Sequence, residues 1–278
     1  MIIGLDVGGT HTDVVLLDRQ GVVRDIKVLT DATNLFNTVL EGLERVMAGI
    51  DPEAVRRVVL STTLTTNAIV QEKIPDVGII VSSGPGIDPR HFQINTHFFT
   101  VSGSIDHRGR EVEPVDPAEI GRVSQELLAA GIRHIGVVGK FSVRNPAHEL
   151  QIKAHLGDAF EKIFLGHRIS GHLNFPRRIA TTSLNASVYP VHKEFFEAVQ
   201  QSLEARGLTM PIRILKADGG NMNFASSIEF PGQTILSGPA ASVMGAVAYA
   251  ADTTDSLVLD IGGTTTDMTC LLYTSPSP

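Results

Sequence analysis

Asp6-Val7-Gly8-Gly9-Thr10-His11-Thr12-Asp13 is answered late in the chain by Asp260-Ile261-Gly262-Gly263-Thr264-Thr265-Thr266-Asp267. The two octapeptides align without a gap and differ only at Val7/Ile261 and His11/Thr265. Each follows an apolar segment and precedes a second one, so each reads as a β-hairpin turn. Adjacent glycines permit a tight turn and let backbone N–H groups approach an anion unobstructed. The threonine hydroxyls can donate to phosphate oxygens. The strand-ending carboxylates Asp6 and Asp260 can hold Mg²⁺ through water, because that ion keeps much of its hydration shell. A single D-x-G-G-T turn is compatible with an ordinary hairpin. Two matched copies in matched contexts point to two related domains that clamp a triphosphate. Neither copy is followed by G-K-[ST], and neither is G-x-G-x-x-G, so P-loop and dinucleotide folds are not indicated.

Outward from the first turn, residues 2–7, 12–17 and 22–29 read as strands. Apolar residues at 35, 39, 43, 46 and 47 give a helix over 34–48, which Gly49 ends. A strand at 58–60 leads into the polar run Ser61-Thr62-Thr63-Leu64-Thr65-Thr66-Asn67. That run either lines the cleft near the transferred phosphate or the substrate, with Thr63 and Asn67 in catalytic roles, or caps a helix. Strands at 77–81 and 132–138 alternate with helices opened by Asp116-Pro117 and Asn145-Pro146, an α/β pattern. Residues 87–113 show little periodicity. The stretch 166–182 is polar and reads as the junction between a first domain, 1–170, and a second, 171–278. A helix is expected over 191–206 and another over 240–251.

Several further positions stay open between two readings. Asp218-Gly219-Gly220-Asn221 is either a ligand-approaching loop or a plain turn. Ser237-Gly238-Pro239 either faces an anion or packs a small-residue helix. Arg177 and Arg178 either reach an anion or form a solvated pair. The histidines show no clean metal spacing, His167 and His172 included.

The 278 residues are 42% hydrophobic and 19% charged, with a net charge of −7. No basic block suits nucleic acid. Phosphate must therefore be bound by backbone amides and a metal rather than by a pool of Lys and Arg. The single cysteine excludes an internal disulfide framework and suits a reducing cytoplasm. No signal peptide or 18-residue apolar run is present, so a cytoplasmic protein without a membrane partner is expected. Tyr273-Thr274-Ser275-Pro276-Ser277-Pro278 ends the chain where a strand and the rest of a second domain are expected. Residues from about 270 therefore read as a foreign tail on an incomplete second domain.

Together these segments resemble the hydantoinase/oxoprolinase family, specifically its A-type, ATP-binding subunit. The resemblance rests on Gly4 to Asp13, Ser61 to Ala68, Phe141 to Glu149, Leu173 to Arg178, Leu215 to Gly220, Leu236 to Ala241 and the second turn. It implies an actin-like ATPase fold of the ribonuclease-H-like kind, with duplicated β-hairpin phosphate loops. ATP and Mg²⁺ are implied as cofactors. Asp6 and Asp260 would act in catalysis and as metal ligands. Gly8, Gly9, Thr10, His11, Thr12, Gly262, Gly263, Thr264, Thr265 and Asp267 would bind the nucleotide. The implied reaction is ATP-dependent opening of a cyclic amide such as a hydantoin or 5-oxoproline, with a B-type subunit completing hydrolysis. A ketone carboxylase subunit, a small-molecule kinase, a nucleotide-gated assembly module and an inactive fragment are the alternatives. Homo-oligomerisation is left open.

Overall fold

In the computed structural model the chain falls into two compact units, residues 1–73 with 190–278 and residues 74–189. The structure describes residues 1–31, 33–208, 210–249, 255–262 and 266–271. Gly263, Thr264, Thr265 and the suspected tail from residue 272 onward lie outside them.

The first unit opens with β1 (Ile2–Val7), β2 (His11–Leu17) and β3 (Val22–Leu29), an antiparallel meander. Period-two alternation puts Ile3, Leu5 and Val7 on one face, all buried. Helix α1 (Leu35–Val46) follows, capped by Asn34, whose side chain accepts from the Asn37 N–H. Val39, Leu43 and Val46 bury its apolar stripe against the sheet. Each such side chain stabilises by roughly 1.5–3 kcal/mol relative to exposure. Strand β4 (Arg57–Thr62) then enters parallel to β1, and α2 (Leu64–Val70) follows directly.

The second unit holds β5 (Gly78–Ser82), β6 (Phe98–Thr100), β7 (Ser104–Ile105), β8 (Glu111–Glu113), α3 (Pro117–Ala129), β9 (His134–Gly139), α4 (Ala147–Leu156), β10 (Lys162–Leu165) and α5 (Gly166–Ile169). Its main sheet is all-parallel in the order β10-β9-β5-β6. Strands β5 and β9 are buried throughout, as continuous apolar runs covered on both faces should be. The weakly periodic stretch 87–113 contains one 3₁₀ turn, Pro89–Phe92, and the short strands β6, β7 and β8. Asp116 caps α3 through the Ala118 N–H at 2.8 Å, and Asn145 holds the Ala147 N–H at 3.0 Å before α4.

Helix α6 (Phe175–Ala205) corrects the expectation of a helix starting at 191. It starts sixteen residues earlier and runs through Pro190, the first residue of the returning first unit. Its polar residues are not a loop signal because their side chains bond back to the helix. Asn185 donates to the Thr181 carbonyl at 2.8 Å, Ser187 to that of Leu184 at 3.1 Å, and Thr181 to that of Arg177.

Back in the first unit, β11 (Ile212–Leu215) joins β4 in parallel and β12 (Asn221–Asn223) joins β11. The sheet order is β12-β11-β4-β1-β2-β3. Helices α7 (Phe224–Glu229) and α8 (Ser237–Tyr249) lead to the hairpin of β13 (Ser256–Ile261) and β14 (Thr266–Leu271). The single cysteine, Cys270, lies exposed on β14.

Candidate functional site

The two hairpins share one register. Asp6 stands opposite Asp13 and Val7 opposite Thr12, while Asp260 stands opposite Asp267 and Ile261 opposite Thr266. In the first turn the Gly8 N–H donates to the His11 carbonyl at 2.9 Å. A Cβ at position 8 would stand 2.8 Å from that oxygen, so only glycine fits. The Thr30 N–H holds the Thr10 carbonyl at 2.9 Å and ties the turn to the end of β3.

Both turns open onto one cavity of about 250 Å³ within the first unit. Of the residues expected at the site, Asp6, Gly8, Gly9, Thr10, His11, Thr63, Asn67, Asp260, Gly262 and Asp267 line it. Thr12 does not. It is fully buried, and its hydroxyl lies 2.9 Å from that of Thr30, so it braces the turn from behind.

Each strand-ending carboxylate is held by a serine. Ser61 donates to Asp6 at 2.5 Å, and Ser242 of α8 donates to Asp260 at 2.5 Å. Burial raises the pKa of Asp6, and the nearby Asp13 and Asp260 carboxylates push it up further. The Ser61 bond and Lys27 pull the other way. A cation bound at these oxygens would reverse that shift.

The Ser/Thr run does not cap α2 through its first side chain, since Thr63 makes no side-chain cap bond. It clamps instead. Thr62 donates to the Val7 carbonyl at 3.0 Å, and the Thr63 N–H reaches the same oxygen at 3.2 Å. The Thr66 hydroxyl accepts from the Leu236 N–H at 3.1 Å, and Ser237 donates to the Thr62 carbonyl at 3.3 Å. One segment thus fixes both the base of the first turn and the start of α8. Gly238 lies so close that a Cβ there would be 2.7 Å from the Thr63 methyl. The packing reading of Ser237-Gly238-Pro239 therefore holds, and Gly238 and Pro239 also line the cavity.

Other candidates fall away from the site. Asp218-Gly219-Gly220 is the β11–β12 turn: the Asp218 side chain accepts from the Gly220 N–H at 2.8 Å, and Gly219 has φ +77°. Arg178 is neither solvated nor anion-facing. It is fully buried and donates to the carbonyls of His172, Gly139 and Lys140, each at 2.6 Å, while Arg177 is exposed. His167 pairs with the buried Glu149 at 2.5 Å. Sequence reasoning passed over Lys27 and left Asp13, Ser61 and Ser242 without roles. Lys27 and Asp13 line the cavity, and the two serines orient its carboxylates. Only the cross-strand register, invisible to periodicity, singles out Lys27.

Among the described residues, no three His, Cys, Asp or Glu side chains stand together as a direct metal cage. No helix of the described residues is long and apolar enough to cross a membrane.

A family profile described as "Hydantoinase/oxoprolinase N-terminal region" matches residues 2–159, and one described as "Hydantoinase/oxoprolinase" matches residues 178–275. The caprolactamase subunit alpha of Pseudomonas jessenii is 25% identical over 96% of this chain and 43% of its own length. The 5-oxoprolinase of Saccharomyces cerevisiae is 24% identical over 96% of this chain and 25% of its own. The nucleotide-free structure of an ATP-dependent acetone carboxylase superposes with a TM-score of 0.86 at 22% identity. That match covers 98% of this chain and 44% of the carboxylase chain. The chain thus spans less than half the length of these relatives.

Proposed function

This chain belongs to the hydantoinase/oxoprolinase family, and from that premise we propose that it carries the phosphate-gripping part of an ATP-dependent enzyme that activates a cyclic amide for ring opening. The carrying observation is the pair of glycine turns in one register, opening with Asp6 and Asp260 onto one cavity. In this reading Gly8, Gly9, Thr10, His11, Gly262, Gly263, Thr264, Thr265 and Asp267 hold the polyphosphate, and Thr12 acts indirectly by bracing the first turn. The sheet order β3-β2-β1-β4-β11 supports assigning the fold to the actin-like, ribonuclease-H-like class. The division of the sequence into parts 1–170 and 171–278 belongs to the same reading.

An amide oxygen is a poor leaving group and its phosphate ester a good one. The proposed step forms a bond from that oxygen to the terminal phosphorus as the bond to the bridging oxygen breaks and ADP departs. Such transfers depend on alignment and charge neutralisation. Thr63 and Asn67 face the cavity for alignment. Asp6 and Asp260, each fixed by a serine hydroxyl, suit the water shell of a Mg²⁺ ion, which would neutralise phosphate charge. A B-type subunit would complete hydrolysis.

The test is equilibrium binding of Mg-ATP to this chain and to Asp6→Asn and Asp260→Asn. Each substitution is expected to weaken binding by about tenfold or more, the scale of one lost charge-assisted contact. Unchanged binding in both variants would refute the assignment. With a B-type partner added, ADP release stimulated by a lactam supports ring opening. Stimulation by a ketone with bicarbonate instead marks a carboxylase.

A further inference from the structure

Strand register places Ser61, Asp6, Asp13 and Lys27 directly opposite one another on the adjacent strands β4, β1, β2 and β3. Residues paired in this way point to one face of a sheet. The row has two carboxylates in its middle and a donor at each end. Ser61 holds Asp6, and the Lys27 Nζ lies 3.2 Å from Asp13 Oδ1. Among the described residues, Lys27 is the only Lys or Arg lining the cavity, against the carboxylates of Asp6, Asp13, Asp260 and Asp267.

The second hairpin repeats only part of the row. Asp260 faces Asp267 and has its serine, Ser242. Its sheet has two strands, with no third strand beside β14 among the described residues to carry a lysine. Among the described residues, the positive charge lies beside the first turn alone.

The Lys27–Asp13 pair is exposed, with 62% and 46% of the two side chains accessible. Such pairs contribute little, so the ammonium can exchange partners at small cost. Asp6 lies two strands away, about 9–10 Å at the usual strand spacing. A flexible four-carbon stem can cover part of that distance, towards an anion lying over the glycine turn.

We propose that Lys27 is a nucleotide-binding residue whose ammonium leaves Asp13 for the terminal phosphates of a nucleoside triphosphate, so that the site reads phosphate charge through a side chain as well as through amides. The proposal rests on reading the cavity as an ATP site. The test is binding of Mg-ATP and of AMP to the wild-type chain, Lys27→Met and Lys27→Arg, each at several salt concentrations. Lys27→Met is expected to bind Mg-ATP about tenfold more weakly with a shallower salt dependence, to leave AMP binding unchanged, and to be largely rescued in Lys27→Arg. Equal circular dichroism melting curves establish that the variants fold alike. Wild-type affinity for Mg-ATP in Lys27→Met, or equal losses for ATP and AMP, would overturn the role of the lysine alone. A wild-type chain that binds no Mg-ATP would overturn both readings.

Discussion

Asp6 illustrates how a buried carboxylate can weaken the fold that carries it. Burial raises its pKa, so the folded chain holds the proton more tightly than the unfolded one does. Between the ordinary carboxylate value and the raised one, stability falls as pH rises. The cost of the ionised form is absent in strong acid and fully present at neutral pH. Asp6→Asn keeps an acceptor for Ser61 and removes the charge. It should raise the melting temperature at pH 7, and this gain should vanish near pH 3, as measured by circular dichroism melts across that range. A variant less stable than wild type at pH 7 would contradict the argument. His192 gives the opposite profile. Burial against Phe196, with ring centroids 4.3 Å apart, pushes its pKa down to about 3. The folded chain then binds fewer protons than the unfolded chain between about pH 3 and the ordinary histidine range. Stability is full above that range and is lost as pH falls through it. Replacing the ring by leucine should flatten the unfolding midpoint between pH 4 and pH 6.

Elements show what a linear reading can and cannot recover. Strands β1 and β3 begin and end where the sequence alone places them, because alternation against a buried face is a local signal. The strands flanking both glycine turns were legible from the matched octapeptides, and each pair forms an antiparallel hairpin. Helix α6 was not. Its buried Asn185 and Ser187 and the less buried Thr181 resemble a loop until their bonds to preceding carbonyls are seen, and Pro190 resembles a start rather than an interior residue. Lys27 was illegible because its meaning lies in a neighbour on the preceding strand, Asp13, rather than in its own segment. Arg178 was half legible: its segment was singled out, but its task is structural. Its guanidinium bonds three main-chain carbonyls at the end of β9 and before α6. Arg178→Met should cost about 2–4 kcal/mol in chemical denaturation, since buried acceptors lose their donors. Arg178→Lys should recover only part, because an ammonium cannot reproduce the fork.

At the scale of the whole chain, every described residue lining the cavity belongs to the unit formed by residues 1–73 and 190–278. Hydrogen exchange followed by mass spectrometry should therefore show Mg-ATP slowing exchange in peptides over 4–16 and 256–262. Peptides over β5 and β9, buried in the other unit, should keep their own rates. Protection spread evenly over both units would place the ligand elsewhere.

The lone thiol on β14 has a practical use. Cys270 is exposed, lies three residues past Asp267, and is the only cysteine in the chain. A maleimide fluorophore or a nitroxide can therefore be attached at one defined position without prior mutagenesis. Such a label would report from beside the second turn whenever nucleotide arrives, so a titration or stopped-flow trace could follow occupancy in the otherwise unaltered molecule.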